Sequence, residues 1–291
     1  MFAFSVSTFS QTSEDLKNLQ QLQAYEDTLL EIGTTLVTDS IYEVREAACV
    51  QFIPTLVKAL KTPGSFHYPF DKLQTVSILN SPDEKFRIFT FQMTLWDNTY
   101  RYYGAIQYNT EQLKLTPLID MSLFLGDAMD TVVGNKSWYG ALYYNIIEKK
   151  RKGKKHYLLF GWDGNDRFST KKLVDVLHFE GEEVRFGAPI FQVGDSVITR
   201  YIIQFKKEAQ ASINYDEEHK MILFDHLIPE HPGSEGIKMT YVPDGSYEGF
   251  KYKKGVWLHT EKAFEQQITV PPDNTPQPGG DDPWHYRDRG N

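Results

Sequence analysis

The chain has 291 residues, with 31 Lys and Arg residues against 39 Asp and Glu residues, which gives a formal net charge of −8. The 41% share of apolar residues is that of a folded globular protein, and it excludes a mostly disordered chain, a collagen or a disulfide-rich miniprotein. The acidic balance argues against general nucleic-acid binding, and no run of eighteen apolar residues is present to form a membrane-spanning helix. The one cysteine, Cys49, lies in a helical pattern and is expected to be a core residue.

The first ten residues resemble the end of a secretory leader. Met1–Gln11 carries no charge and is rich in apolar residues, and Thr8 and Ser10 place small residues before a cut at Gln11. The positively charged start of a complete leader is missing. Residues 1–10 are therefore interpreted as the remnant of a signal peptide, and the sequence predicts an exported protein.

Two helices are expected next, over residues 11–64. Leucines recur at helical spacing from Leu16 onward, and Ser40 with Glu43 forms a capping-box pattern at the start of a second helix. Pro54 is expected to kink or divide that second helix.

Residues 65–265 read as a β domain, and residues 266–291 as a disordered tail rich in Pro, Gly and Asp. About a dozen short apolar runs are separated by turn residues, with no helical pattern between most of them. They include one strand over residues 197–205 and two strands over residues 237–242 and 249–252, with a turn at Asp244–Gly245 between the latter two. Residues 123–135 are compatible with either a short helix or a loop. The predicted fold class is α+β, mainly antiparallel β with N-terminal helices, and a sandwich, a curved open sheet or a propeller-like arrangement all fit.

The loop after one apolar run is the first candidate binding site. Trp162, Asp163, Asn165 and Asp166 combine an aromatic face with hard oxygen ligands, as a calcium loop or a sugar site requires. The alternative interpretation is a structural turn, because Asp, Gly and Asn are also standard turn residues.

A histidine-rich segment is the second candidate. His219, Asp225, His226 and His231 offer imidazole and carboxylate groups that suit zinc, although their spacing matches no helical two-histidine motif. The alternative is a strand that ends at Asp225–His226 and is followed by a loop.

Two further features are open to more than one interpretation. Six positive charges in the seven residues Lys149–Lys155 indicate a hairpin tip, either solvated or in contact with an anionic partner. No nucleophile elbow, P-loop or dinucleotide fingerprint occurs. Four carboxylates remain as candidates for a catalytic pair: Asp175, Asp225, Asp244 and Glu248.

Several segments together resemble uncharacterised exported proteins of Bacteroidota bacteria over most of residues 12–264. They are FSVSTFSQ near the start, Tyr103–Asn109, Tyr139–Asn145, Leu158–Asn165 and Tyr241–Tyr247. The resemblance implies export and carries over no functional residues.

Two functions follow from the sequence as hypotheses. The first is an exported, non-catalytic binding or structural protein of the cell envelope, with a glycan or an envelope protein as partner and no nucleic acid. The alternative is a secreted hydrolase that acts on glycans or peptides through carboxylates, with or without a metal. No cofactor is identified.

Overall fold

The computed structural model describes residues 13–263, so the predicted leader remnant at residues 1–10 and the predicted tail at residues 266–291 lie outside the described residues. The chain divides into two compact units. One contains the residues up to Gln74 together with Thr110–Leu113, and the other contains Thr75–Asn109 and the residues from Lys114 onward.

The first unit is built on two α-helices, α1 (Ser13–Thr38) and α2 (Tyr42–Leu60). Glu26 is a carboxylate on the buried side of α1, with only 3% of its surface exposed. Its oxygens accept hydrogen bonds from the Tyr68 hydroxyl at 2.5 Å and from the Lys72 backbone amide at 2.8 Å. These partners satisfy the buried charge, because an unpaired buried carboxylate is costly.

Two expectations for the helices need correction. The predicted capping box of Ser40 and Glu43 is not formed: Ile41 is the N-cap residue of α2, and Asp39 Oδ1 accepts the Ile41 backbone amide instead, at 2.8 Å. Pro54 lies inside α2, which continues without interruption from Tyr42 to Leu60, so the proline does not divide the helix.

Within its described residues, the second unit contains sixteen strands. In chain order they are β1 (Ser77–Asn80), β2 (Phe86–Thr94), β3 (Tyr100–Tyr108), β4 (Leu115–Ile119), β5 (Val133–Gly134), β6 (Leu142–Arg151), β7 (Lys154–Asp163), β8 (Ser169–Glu180), β9 (Glu183–Phe186), β10 (Phe191–Val193), β11 (Ser196–Ile198), β12 (Tyr201–Lys206), β13 (Ile213–Asp216), β14 (Met221–Pro229), β15 (Tyr241–Lys253) and β16 (Val256–Thr260).

These strands form three sheets, and none of the three closes on itself. Their orders are β1-β2-β3-β4, β5-β9-β8-β7-β6 with β12 also paired to β8, and β11-β10-β16-β15-β14-β13. Among the described strand pairs, β10 and β16 are parallel and the others are antiparallel. The predicted α+β class, mainly antiparallel with N-terminal helices, is confirmed. Over residues 13–263, no helix has the length and apolar character needed to cross a lipid bilayer.

The middle sheet is buried on both faces, which explains its apolar sequence. Along β7, Tyr157 and Leu159 belong to a core cluster shared with Phe86 and Ile106 of the first sheet. The alternate residues Leu158 and Phe160 belong to a second cluster shared with the third sheet. Since successive strand residues point to opposite faces, a run that is apolar at every position fits a strand covered on both sides.

Some strand boundaries differ from the expectation. The predicted strand 197–205 is divided into β11 and β12 at Thr199–Arg200, while two expected runs around Asp244 form one long strand, β15. The ambiguous segment 123–135 is mostly loop, with a 3₁₀ turn at Ser122–Phe124 before it becomes β5.

Candidate functional site

A surface cleft of about 350 Å³ opens in the second unit between β12 on one side and β14 and β15 on the other. Its apolar wall includes Phe224, Leu227 and Met129. The side chains that give it polar character are Asp127, Tyr201, Gln204, Asp225, Lys238, Tyr241 and Glu248. The volume lies in the range of small-ligand sites, roughly 300–1,000 Å³.

The pairing of β14 with β15 makes the backbone positions of Asp225 and Glu248 neighbours, although 22 residues lie between them. Phe224 lies opposite Glu248 and Asp225 lies opposite Tyr247, and the pairing of β14 with β15 then shifts before Leu227. This irregularity of the β-bulge kind redirects side chains at that point. Both residues line the same cleft.

The carboxylate of Asp225 is fixed by the start of β13. Its Oδ2 atom accepts hydrogen bonds from the backbone amide and the hydroxyl of Ser212, both at 2.6 Å. A carboxylate held by two donors has a defined orientation. Asp225 is thus a preorganised hydrogen-bond acceptor at the cleft wall.

Glu248 belongs to a chain of alternating acidic and imidazole groups. Its Oε2 atom lies 2.5 Å from His259 Nε2, and its Oε1 atom lies 3.7 Å from His226 Nε2. His226 Nδ1 lies 2.9 Å from Asp244 Oδ2. Hydrogen bonds thus join His259 to Glu248 and His226 to Asp244, and His226 lies within ion-pair distance of Glu248 beside the cleft.

Among the four groups just described, Asp244 has a pKa well below its usual value. Burial alone would raise the pKa of Asp244, but hydrogen bonds from the hydroxyl and amide of Ser246 and from His226 lower it to about 2. Asp244 is therefore ionised at neutral pH.

Aromatic rings form part of the lining. The Tyr201 ring packs against Phe224 and Phe250, each at 4.8 Å between ring centroids. Burial, and then the charge of Glu248, raise the pKa of Tyr201, so its phenol stays protonated. On the other side, Lys238 Nζ lies 4.2 Å from the centroid of the Tyr241 ring.

The Trp162–Asp166 loop lies elsewhere, and its acidic oxygens are used by the chain itself. Asp163 accepts hydrogen bonds from the hydroxyls of Tyr102 at 3.0 Å and Tyr139 at 2.8 Å. Asp166 Oδ1 accepts the backbone amide of Ser169 at 2.8 Å. These contacts are those of a structural turn, and ligand binding by this loop stays a prediction.

Two more residues of this loop have structural surroundings. Asn165 has a positive φ of 50° and donates to Asp166 and Ser169. The half-buried Trp162 meets the ring of Tyr100 edge to face, with 5.6 Å between centroids.

The four residues predicted to bind a metal are not brought together. His219 lies 2.7 Å from Asp216 in the β13–β14 turn, and His231 lies 3.6 Å from Glu230 in the following loop. Only Asp225 and His226, which are adjacent in sequence, lie near the cleft. Within residues 13–263, no group of three or more His, Cys, Asp or Glu side chains is arranged to hold a metal ion.

Of the four carboxylates considered from the sequence, two line the cleft, Asp225 and Glu248. Asp244 is hydrogen-bonded to His226, which lies beside the cleft. Asp175 is completely buried in the core of the unit, where it pairs with Arg200. Sequence reasoning missed Tyr201 and Lys238, because only tertiary structure places them beside these acids.

The fold and the cleft define an α+β protein with a three-sheet β unit and an acidic surface cleft. No family model, no curated protein and no solved structure matches this chain.

Proposed function

We propose that this chain is an exported binding protein of the cell envelope that holds a polyhydroxylated ligand, such as a segment of glycan, in the cleft. The observation that carries the proposal is the placement of Asp225 and Glu248 in one cleft with Tyr201 and Tyr241. Carboxylates accept hydrogen bonds from sugar hydroxyls, while aromatic rings contact the apolar C–H faces of a sugar. Export is supported by the N-terminal sequence.

A binding role is favoured because both acids already have partners that orient them. Ser212 holds Asp225, and His259 holds Glu248. Acceptors that are fixed before the ligand arrives lose little conformational entropy on binding. Lys238 also lines the cleft and adds an ammonium donor to it.

A hydrolase is the second candidate, and one observation favours it. The contact of 2.5 Å between Glu248 and His259 gives a cleft carboxylate a proton partner, as general acid–base chemistry requires. Asp225 would then be the second carboxylate at the cleft.

A thermal-shift screen of the full chain against soluble oligosaccharides tests the proposal. A ligand that binds only the folded protein raises the melting temperature, and the rise increases with the logarithm of the ligand concentration once the site is saturated. We expect a rise with at least one of maltotetraose, cellotetraose, xylotetraose and chitotetraose, and its loss in the Glu248→Gln and Asp225→Asn variants. Glu217→Gln, an exposed acid in the β13–β14 turn, is the matched control.

Analysis of the products separates the two candidates. An oligosaccharide recovered intact after long incubation supports the binding protein, whereas shortened products that disappear in Glu248→Gln support the hydrolase. A melting temperature that no oligosaccharide changes contradicts the glycan assignment.

A further inference from the structure

Three hairpins of the β unit each place a lysine at a backbone position that favours asparagine or glycine. Lys152, Lys220 and Lys254 have φ values of 49°, 51° and 51° in the β6–β7, β13–β14 and β15–β16 turns. They are three of the seven non-glycine residues with positive φ among residues 13–263. Lysine in the left-handed region has a conformational cost that Asn or Gly largely avoids. Because lysine occupies such a position in three neighbouring turns, we infer that the lysine side chains have a role there.

The three hairpins are neighbours at one end of the unit. The Tyr252 hydroxyl donates a hydrogen bond to the carbonyl of Lys150 at 2.7 Å, which joins β15 to β6. Lys149 Nζ donates to the Tyr215 hydroxyl at 2.8 Å, which joins β6 to β13. We call the surface formed by residues 148–155, 216–220 and 251–255 the basic end.

The basic end is positive although the whole chain has a net charge of −8. Its three segments contain ten Lys and Arg residues and four acidic residues. In the β6–β7 hairpin, Lys155 forms ion pairs with Asp83 and Glu148. No ion pair joins Lys150, Lys152 or Lys154 to a carboxylate of the described residues.

In addition to burial, the positive charges of the basic end lower the pKa values of two histidines beside it. His156 and His178 stack with 5.4 Å between ring centroids. Burial lowers the pKa of His156, and the nearby charges of His178, Arg151 and Lys154 lower it further. The cations of the basic end thus act on groups that lie behind the surface.

We propose that the basic end docks on an anionic lipid surface. Its exposed lysines lie on three separate turns, which fits a plane of headgroups, and none of them lines the cleft. The aromatic rings nearby are engaged in the fold: Trp257 packs against Tyr252 at 4.8 Å and against Tyr215 at 6.3 Å. Single-stranded nucleic acid is usually bound with exposed rings for base stacking, and the net charge of −8 for the whole chain disfavours a long duplex polyanion that would extend past the basic end. A negative lipid leaflet attracts clustered lysines directly.

Sedimentation of the full chain with phosphatidylcholine vesicles, with and without phosphatidylglycerol, tests this proposal. We expect binding only when phosphatidylglycerol is present and a decrease with added salt. In the double variant Lys152→Asn and Lys254→Asn, the partition coefficient should fall about 25-fold, or about fivefold for each lysine removed. Its melting temperature should stay the same or rise, because asparagine suits both turns.

The matched control makes the same change of charge elsewhere. Lys136→Asn with Arg167→Asn alters two exposed cations outside the basic end, and Arg167 lies in the turn at the opposite end of β7. We expect this control to retain its vesicle binding. An equal loss in both double variants, no binding of the native chain to phosphatidylglycerol, or binding to DNA without binding to vesicles would each overturn the proposal.

Discussion

Arg200 and Asp175 form an ion pair in which neither side chain is exposed, with Arg200 Nε 3.0 Å from Asp175 Oδ1. The other acid oxygen accepts the Tyr143 hydroxyl at 3.2 Å, and Arg200 Nη1 donates to the carbonyl of Ala128 at 2.5 Å. Ala128 lines the cleft, so this pair in the core also holds a wall of the candidate site.

Asp175→Ala is expected to lower the free energy of unfolding by about 3–5 kcal/mol, because it leaves the Arg200 charge buried without its partner. Chemical denaturation measures the loss. The double variant Asp175→Leu with Arg200→Met removes both charges and should recover most of it. A single variant as stable as the native chain would show that the pair has no structural role.

Strand assignment from the sequence failed where long-range contacts decide. Thr199 and Arg200 interrupt an apolar run, and Thr199 donates a hydrogen bond to the carbonyl of Met129 at 2.8 Å. No pattern in the neighbouring sequence indicates the contact with Met129, so the sequence predicts a single strand. Around Asp244, the sequence predicts a turn at the Asp-Gly pair, whereas the chain stays in β15 opposite the irregularity in β14.

The candidate site shows the same limit. The sequence identifies Asp225 and Glu248 as candidates for a carboxylate pair. The pairing of β14 with β15 then makes their backbone positions neighbours. Tyr201 comes from a different sheet, and no spacing in the sequence relates it to Glu248. Local patterns predicted the element types and the turns, whereas the cleft depends on how the sheets pack.

Asp163 is expected to stabilise the β unit through the two tyrosines that donate to it. Asp163→Ala removes the acceptor of Tyr102 and Tyr139 and should cost about 2–4 kcal/mol of unfolding free energy, since two buried hydroxyls lose their partner. Asp163→Asn keeps one acceptor oxygen and should cost less.

The contribution of Asp163 to the free energy of unfolding depends on pH in a defined direction. Burial raises the pKa of Asp163 above its usual value, against the effects of Lys171 and of the hydrogen bonds. The folded state then holds its proton more tightly than the unfolded state, so the contribution of Asp163 to stability falls as pH rises through the range above about 3.9. Denaturation midpoints measured across that range should show the stability of the native protein falling relative to that of Asp163→Asn as pH rises. Parallel curves would contradict this sign.

His156 and His178 should make the protein less stable in mild acid. Burial lowers the pKa of both rings, so the unfolded state binds protons more readily than the folded state. Stability is therefore full above the unfolded pKa of about 6.5 and decreases as pH falls below it.

Thermal melts between about pH 7.5 and pH 5.5 measure this effect. The variant His156→Gln with His178→Gln should show a flatter dependence on pH. His231→Gln, an exposed histidine with 74% of its side-chain surface accessible, is the control and should leave the slope unchanged. Equal slopes in the native protein and the double variant would exclude this pair as the source.

Asp244 should stabilise the irregular part of β15 as long as it is ionised. Its Oδ1 atom accepts the amide and the hydroxyl of Ser246 at 2.9 Å and 2.7 Å, and its Oδ2 atom faces His226 Nδ1. Because these contacts lower the pKa of Asp244 to about 2, its contribution is complete above an unfolded pKa of about 3.9 and is lost as pH falls through 2.

Asp244→Asn is accordingly expected to lower the unfolding free energy by about 1 kcal/mol at neutral pH, and by less in strong acid, where the native carboxyl is itself protonated. Asp195→Asn, an exposed acid in the β10–β11 turn, is the matched control and should change little at either pH. The variant also separates stability from binding: if Asp244 acts on the cleft through His226 and Glu248, Asp244→Asn weakens oligosaccharide binding without removing a cleft residue. Unchanged binding together with lower stability would limit Asp244 to a structural role.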